Sequence, residues 1–252
     1  MLAVERRQKI LDLVYRHRAV QVTDLSKSFG VTEETIRRDL QSLDGSGLLS
    51  RTHGGAVARE AEAEDLPYRM RQITNIEAKR KIAALAAALV HDTNAVMIDS
   101  SSTAFEVLGA LKGHHDLTLI TNSVRIAAEP GATQHTIVSV GGELRKQSMT
   151  FVGTLATQAI AKFNADIALI SCKAISISAG VMDASLPDAE VKRAFIAAAR
   201  KVCLLVDGDK FDGSALTSVC PIDQINTIVT DRQPSDGWIK HFQKLAIPIL
   251  YK

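Results

Sequence analysis

Residues 31–43, VTEETIRRDLQSL, constrain the fold of this chain more than any other stretch. Thr32 is a residue type that caps a helix, because its side-chain oxygen accepts a hydrogen bond from a free backbone N–H. Ile36, Leu40 and Leu43 recur at i, i+4 and i+7, so they fall on one narrow stripe that must face a core. The sequence therefore predicts an amphipathic helix that begins at about Thr32.

The opposite face of this helix is polar. Arg suits bidentate contact with a guanine edge or a phosphate, and Thr and Gln can reach either. Taken alone, the pattern fits a solvated amphipathic helix at least as well, so the neighbouring segments decide between the two interpretations. The residues of this face are Glu34, Thr35, Arg37, Arg38, Gln41 and Ser42.

A second helix is predicted just before residues 31–43, and the two helices together form a helix-turn-helix arrangement. Residues 5–17 form an amphipathic pattern, and residues 20–22 are β-prone. Thr23 is predicted to cap a second helix that runs to Phe29, and Gly30 is predicted to end it. Two short helices joined by a Gly-containing turn are typical of DNA-binding proteins, in which the second helix enters the major groove with its N-terminal end.

A hairpin is predicted directly after the helix pair. Residues 48–51 can pair with residues 56–57, and we expect Gly54 and Gly55 to supply the positive φ of a tight turn. The hairpin would be a wing beside the recognition helix. The side chains at its tip that can reach phosphate or the minor groove are Arg51 and His53.

These segments, RRQKIL and DLSKSFGVTEETIRRDLQSLDGSGLLSRTHGGAV, closely resemble the N-terminal signature of the DeoR family of bacterial transcriptional regulators, over residues 5–57. The resemblance implies a winged helix-turn-helix domain, assigned to residues 1–58, that binds double-stranded DNA. Its motifs TIRRDL and RTHGG imply groove-facing and wing contacts at the matching positions. The residues predicted to contact DNA are Thr23, Thr32, Glu34, Thr35, Arg37, Arg38, Arg51, His53 and Gly54.

The charge of the chain predicts how such a domain would bind. The net charge is +2; residues 1–58 hold nine Lys and Arg against seven Asp and Glu, and the remaining 194 residues hold 21 of each. So small an excess does not attract a phosphate backbone over distance. DNA affinity must therefore come from local placement and from more than one copy, and we expect a homo-oligomer, either a dimer or a tetramer.

Other features exclude several classes of protein. The three cysteines lie in apolar runs without CxxC spacing, which favours reduced thiols. There is no signal peptide and no apolar run of membrane-spanning length, so we expect a cytoplasmic protein without a membrane partner. The seven histidines do not fall at metal-ligand spacing, and neither a metal nor a cofactor is expected. Residues 59–75, polar and interrupted by Pro67, are predicted to be a linker.

Residues 76–252 alternate apolar helical patterns with short β-branched runs. This alternation predicts an α/β domain with a mostly parallel sheet covered on both faces. Helices are predicted over residues 77–90 and 102–111. The predicted strands are 95–99, 117–121, 136–140, 165–171, 201–207, 226–230 and 247–251.

Small polar and basic residues follow five of these strands, at the edge of a parallel sheet where ligands collect. Residues 99–103 (DSSST) lead into a helix, whose free N–H groups and hydroxyls suit phosphate. A plain capping cluster with nothing bound explains such a turn about equally well. The groups that follow the other strands favour an anionic, hydroxylated small molecule.

The motifs IDSSST, TNS, VGGELR, FVG, DAEVKRAFI and VDGDKF resemble the DeoR sensor domain, which is related to sugar-phosphate isomerase and CoA-transferase folds. The resemblance implies a phosphorylated sugar as effector. Family members usually have Gly at the position of Ser101 and Gly-rich sequence around the position of Ala174. The side chains of Ser101 and Ala174 are therefore expected to narrow the predicted crevice. The residues predicted to bind the effector are Asp99, Ser100, Ser101, Ser102, Thr103, Asn122, Ser123, Gly141, Gly142, Lys173, Glu190 and Lys210.

The chain is therefore predicted to be a transcriptional regulator, a repressor of a carbohydrate-utilisation operon that a sugar phosphate relieves. The alternative is an isomerase-like or CoA-transferase-like enzyme with an appended DNA-binding module. Asp99, Asp183 or Glu190 could supply its general base or nucleophile, but the paired-carboxylate spacing of the isomerases is missing. A structural nucleoid protein is disfavoured, because residues 76–252 carry no excess positive charge.

Overall fold

The structure is a computed structural model that describes residues 2–45, 47–58, 68–129 and 134–252. It divides into two compact units, Met1–Asn75 and Ile76–Lys252. Among the described residues, no helix is both long enough and apolar enough to span a membrane, and no group of three or more His, Cys, Asp or Glu side chains could hold a metal ion.

The first unit is a helix-turn-helix with a small antiparallel sheet. Its sheet has the strand order β1-β3-β2. The core contains Ile10, Leu25, Ile36, Leu40 and Leu49, none more than 2% exposed. The elements are α1 (Ala3–His17), β1 (Ala19–Gln21), α2 (Val22–Phe29), α3 (Glu33–Gly45), β2 (Ser50–Arg51), β3 (Gly55–Val57) and α4 (Tyr68–Ile73).

Helix α4 lies in the stretch that was predicted to be a linker. Tyr68 is buried, and Ile73 packs against the hydrophobic core of the first unit. The polar composition of the stretch concealed these two apolar anchors, which are five residues apart. Residues 59–67 of the predicted linker lie outside the described residues.

Two local predictions in the first unit are wrong. Thr23 does not cap α2: the helix begins at Val22, with Gln21 as the N-cap and no side-chain capping bond. Burial of Val22 in the core moves the N-cap two residues earlier, from Thr23 to Gln21, and leaves Thr23 exposed in the first turn. Neither Gly54 nor Gly55 has a positive φ. Gly55 is required for a different reason, because a Cβ there would lie 1.9 Å from the carbonyl oxygen of Val20 on the paired strand.

The second unit contains six helices and twelve strands within the described residues, besides short 3-10 turns. The elements are α5 (Ile76–Ala87), β4 (Ala95–Ile98), α6 (Ser102–Ala110), β5 (Thr118–Thr121), α7 (Val124–Ala127), β6 (Thr136–Ser139), β7 (Glu143–Arg145), β8 (Thr150–Val152), α8 (Thr154–Ile160), β9 (Ile167–Ser171), β10 (Ala174–Ser176), β11 (Gly180–Asp183), α9 (Leu186–Ala198), β12 (Val202–Leu205), β13 (Thr217–Cys220), β14 (Thr227–Val229), α10 (Asp236–Lys244) and β15 (Ile249–Leu250).

A seven-stranded sheet forms the centre of this unit, in the order β15-β14-β12-β9-β4-β5-β6. Every pairing in it is parallel, and its strands are the seven that were predicted. One face packs against residues of α5 and α6, such as Ile82 and Val107, and the other against residues of α9 and α10, such as Phe195 and Trp238. The prediction of a mostly parallel sheet covered on both faces is confirmed.

Two smaller sheets were not predicted. Strands β10, β11 and β13 form an antiparallel sheet, and β7 pairs with β8 as a hairpin. Each strand has only three or four residues, too few to show a clear alternation of apolar and polar positions. They matter for function because they carry Arg145 and Asp183.

Candidate functional site

Helix α3 is the candidate DNA-reading element, and its start follows the sequence prediction. Oγ1 of Thr32 accepts a hydrogen bond from the backbone N–H of Thr35 at 3.3 Å, so Thr32 caps the helix. Ile36, Leu40 and Leu43 are 0%, 1% and 5% exposed, which confirms the predicted core stripe.

The outward face of α3 presents two arginines, each paired with a glutamate one turn earlier. Arg37 lies 2.6 Å from Glu33, and Arg38 lies 3.4 Å from Glu34. The Arg38 side chain is 79% exposed. Exposed pairs at this spacing contribute only about 0.3–0.5 kcal/mol, so a phosphate or a guanine edge can replace the glutamate as the partner.

A buried ion pair fixes the angle of α3 against α1. Both oxygens of the Asp39 carboxylate accept, one from Nε of Arg6 at 2.6 Å and the other from Nε of Arg7 at 2.8 Å. In the sequence, Asp39 follows two exposed arginines, and no local pattern indicates that its side chain is buried. Its burial at 2% exposed identifies it as a residue that positions the recognition helix.

The wing is tied to the helix pair through its glycines. The carbonyl oxygen of Gly54 accepts from the backbone N–H of Val22 at 2.9 Å, and that of Gly55 accepts from Thr52 at 3.0 Å. The structure places every residue predicted to contact DNA on the surface of the first unit. Thr35 is half-buried, and the exposed ones are Thr23, Thr32, Glu34, Arg37, Arg38, Arg51, His53 and Gly54.

In the second unit, the carboxyl ends of the parallel strands meet at one edge of the sheet. Asp99 lies at this edge, directly after β4. Its Oδ1 accepts from the backbone N–H of Ser101 at 3.0 Å, and its Oδ2 accepts from the N–H of Ser171 at 2.9 Å. Nζ of Lys192 lies 3.4 Å from the same Oδ2. Because both oxygens are engaged, Asp99 holds β4, β9 and α9 together and is poorly placed to act as a general base.

The turn before α6 carries the candidate anion site. Ser101 is the N-cap, and its side chain accepts from the N–H of Ala104 at 3.0 Å. Thr103 is 1% exposed, and its Oγ1 has no hydrogen-bond partner within the described residues. Ser102 is buried in the same turn, and Oγ of Ser100 lies 3.5 Å from Nδ2 of Asn122.

Asn122, at the end of β5, also has an unused polar atom. Its Nδ2 donates to the carbonyl oxygen of Phe151 at 3.1 Å, whereas its buried Oδ1 has no partner among the residues described. Buried polar groups are rarely left unpaired, because each lost hydrogen bond costs about 1–3 kcal/mol. Oδ1 of Asn122 and Oγ1 of Thr103 are therefore groups that a ligand can satisfy.

Two lysines complete the crevice, and each has carboxylate neighbours. Nζ of Lys210 lies 3.3 Å from Asp207 and 3.2 Å from Oγ of Ser171. Lys192 lies between Asp99 and Asp183 and forms its closer contact with Asp183. Burial alone would lower the pKa of Lys192, but the two carboxylates and the hydrogen bond to Asp183 outweigh it and raise the pKa above its ordinary value.

The sequence indicated no role for Lys192 or Asp188, and Asp183 was predicted only as a possible base or nucleophile of the alternative enzyme. On α9, Asp188 and Lys192 face inward, and Arg145 of β7 pairs with Asp188 and donates to Oγ of Ser185 at 2.6 Å. In the sequence these charges resemble a solvated helix face. The i, i+4 spacing of Asp188 and Lys192 places both charges on one face of the helix, and this spacing was the one available signal.

Several predicted effector residues have structural roles or are exposed at the surface. Glu190 and Lys173 are exposed, and Glu190 lies on the face of α9 away from Lys192. Ser123 caps α7 by accepting from Ile126 at 3.3 Å. Gly142 has a φ of 117° and permits close packing, since a Cβ would lie 2.6 Å from the carbonyl oxygen of Val152; Gly141 has a φ of 64° in open space.

This chain matches two protein-family models, and it resembles individual proteins over nearly its full length. The model of the DeoR-like helix-turn-helix domain matches residues 6–62, and that of the DeoR C terminal sensor domain matches residues 74–232. The uncharacterized HTH-type transcriptional regulator YulB of Bacillus subtilis (strain 168) is 33% identical over 250 residues, covering 99% of this chain and 96% of that protein. The glycerol-3-phosphate regulon repressor of Escherichia coli (strain K12) is 29% identical, covering 93% of each chain.

Among solved structures, ribose 5 phosphate isomerase A from Neisseria gonorrhoeae is similar with a TM-score of 0.40 at 16% identity, over 55% of this chain and 54% of that chain.

Proposed function

The chain belongs to the DeoR family of DNA-binding transcriptional regulators and is not an enzyme, and from this premise we propose that it represses a carbohydrate-utilisation operon until a phosphorylated sugar releases it. A relative of similar length is named a repressor of the glycerol-3-phosphate regulon, which supports the repressor part of the proposal. We propose that the chain acts in the cytoplasm, together with the DNA that it binds.

One observation supports the effector site most directly: Oγ1 of Thr103, buried in the first turn of α6, has no hydrogen-bond partner in the part of the chain that the structure describes. A hydroxyl donates to a phosphate oxygen, and the free N–H groups at a helix N-terminus favour an anion. We therefore assign the phosphate of the effector to this turn, with Ser100 and Ser102 beside it. Oδ1 of Asn122 can accept only, so it suits a hydroxyl of the sugar rather than the phosphate.

The charge balance of the crevice supports a ligand with both a phosphate and hydroxyls. Lys192 and Lys210 are close to the carboxylates of Asp99, Asp183 and Asp207, so they do not form a free cationic surface for an anion. Carboxylates and ammonium groups held in this way accept from and donate to sugar hydroxyls. In this arrangement the first turn of α6 binds the phosphate of the effector, and Lys210 and its neighbours bind the sugar hydroxyls.

Control of DNA binding follows from linkage. A ligand shifts the affinity for DNA only if it binds the DNA-competent and the DNA-incompetent arrangements with different affinity. Two recognition helices of a dimer must match half-sites about one helical turn apart. We propose that the chain binds as a homo-oligomer through α3 and the wing, and that the effector changes the spacing of the paired helices.

Binding of the purified full chain to the DNA upstream of its own gene tests the proposal. Fluorescence anisotropy at about 50 mM salt should show tighter binding to this fragment than to a shuffled one of equal length, with an affinity that falls as salt rises. Equal affinity for the two fragments, or no retention of either, would remove the repressor assignment.

A further inference from the structure

Helix α9 has two faces with different roles. Its inner face holds Asp188 and Lys192, which connect it to β7, β11 and the end of β4. Its outer face consists of residues spaced i, i+4, i+7 and i+11, which form one stripe along a helix. These residues, all exposed, are Leu186, Glu190, Arg193 and Ala197.

We propose that this outer stripe is the two-fold contact between two copies of the chain. The stripe is self-complementary when two α9 helices pack antiparallel about an axis between residues 191 and 192. Leu186 then faces Ala197 of the partner copy, and Glu190 faces Arg193 of the partner copy, each contact occurring twice. A parallel arrangement would instead bring like charges together. Self-complementarity of this kind is what an isologous dimer contact requires.

The charges of the stripe are available for this pairing. Within the described residues, neither Glu190 nor Arg193 forms an ion pair, with each other or with a neighbour. Nε of Arg193 donates to the carbonyl oxygen of Val219 at 3.2 Å, and the side chain also donates to that of Ser218. These bonds hold the guanidinium against β13 while it remains exposed, so little side-chain freedom is left to lose on association.

Apolar surface adjoins the stripe. Leu186 is 52% exposed and Leu216 is 72% exposed, although both are large apolar side chains. The register of β11 with β13 pairs Asp183 with Thr217, which brings Leu216 close to the start of α9. Exposed apolar surface rimmed by polar residues marks interaction sites. The small Ala197 at the other end of the stripe leaves room for Leu186 of the partner copy.

This inference rests on the proposed function, which requires two recognition helices, and adds a route for regulation. The inner face of α9 reaches the crevice through Lys192, and the outer face carries the dimer contact. A ligand that rearranges the contacts of Asp183 and Lys192 therefore acts on the same helix that sets the position of the partner copy.

Charge-swap variants of the full chain, without DNA or sugar, test the contact by sedimentation equilibrium. In the Glu190→Arg variant, an arginine at position 190 faces Arg193 of the partner copy at both ends of the contact. We expect the dimer dissociation constant to rise about tenfold or more. Arg193→Glu should do the same, and the double variant should return to within about threefold of the parent. Lys240→Glu, an exposed charge reversal on α10, is the matched control and should leave the constant unchanged.

A cross-link gives an independent measurement. The double variant Leu186→Cys with Ala197→Cys should form a disulfide between two copies on mild oxidation, and each single variant should not. Burial raises the pKa of each native cysteine to about 12, so the native thiols give little background.

A monomeric parent, a dimer that Glu190→Arg leaves intact, or a double swap that fails to restore association would overturn the inference. If the dimer forms through another surface and still binds operator DNA, the α9 contact is refuted but the proposed function is not. Loss of DNA binding by the parent would refute the proposed function instead, so the two failures are distinguishable.

Discussion

Nε of Arg6 lies 2.6 Å from Oδ2 of Asp39, and both residues are less than 10% exposed. The pair joins α1 to the middle of the recognition helix. Because Arg6 is buried, removing Asp39 leaves its guanidinium without compensation in a place where water is largely excluded. The orientation of the DNA-reading face therefore depends on a contact that does not touch DNA.

Asp39→Ala should lower the free energy of unfolding of the first unit by about 3–5 kcal/mol, the usual cost of breaking a buried ion pair. Glu34→Ala removes the exposed pair with Arg38 and should cost no more than about 0.5 kcal/mol. Urea unfolding followed by far-ultraviolet circular dichroism measures both, and the single tryptophan, Trp238, reports the second unit separately. Equal stability of the two variants would show that the pair contributes nothing.

Arg38→Ala should weaken binding to the upstream DNA by about 1–3 kcal/mol, as expected for a lost base or phosphate contact. Its exposed side chain makes the effect on stability small. Arg200→Ala, which removes an exposed arginine from the second unit, is the matched control. If Arg38→Ala binds the fragment as tightly as the parent does, the groove-facing assignment is wrong.

Gly55→Ala and Gly54→Ala should differ sharply although they are neighbours. A Cβ at Gly55 would lie 1.9 Å from the carbonyl oxygen of Val20, so β1 and β3 must separate, whereas a Cβ at Gly54 has no atom within 4 Å. We expect the first change to cost about 1–3 kcal/mol of stability, as overpacking does, and the second less than about 0.5 kcal/mol. Thermal unfolding compares them, and similar losses for both would contradict the close approach of the two strands.

Lys210→Ala should leave DNA binding unchanged and weaken the response to effector by about tenfold, because Lys210 contacts Ser171 and Asp207 at the crevice. Lys240→Ala on α10 should change neither property. A reporter gene behind the operator, titrated with the inducing sugar, gives the midpoint of each response. An unaltered midpoint for Lys210→Ala would remove this residue from the effector site.

Much of the architecture was predictable from local sequence. The seven strands of the large sheet are apolar runs between turn residues, and the stripe of Ile36, Leu40 and Leu43 defines the buried face of α3. Both signals depend only on neighbours in the chain. The N-cap of α2 was misplaced by two residues, at Thr23 instead of Gln21, because tertiary burial of Val22 outweighed the capping preference of Thr23.

The candidate site was predictable only in part. The capping turn at Ser101 follows a strand directly and could be located from sequence, whereas Lys192 reaches Asp99 across a separation of 93 positions. No local pattern distinguishes a lysine that enters a buried charge cluster from one in solvent. The same limit explains why Glu190 was chosen: it stands between Asp188 and Lys192 in sequence but on the other side of the helix.

The central claim is that a phosphorylated sugar bound in the second unit controls DNA binding by the first. The most direct test measures the affinity of the full chain for its upstream DNA with and without the sugar phosphate that its neighbouring genes indicate, beside the unphosphorylated sugar. We expect the phosphorylated form to weaken DNA binding at least about fivefold and the free sugar to leave it unchanged. A sugar phosphate that binds the protein, raising its melting temperature, yet leaves the affinity for DNA unaltered would contradict the account.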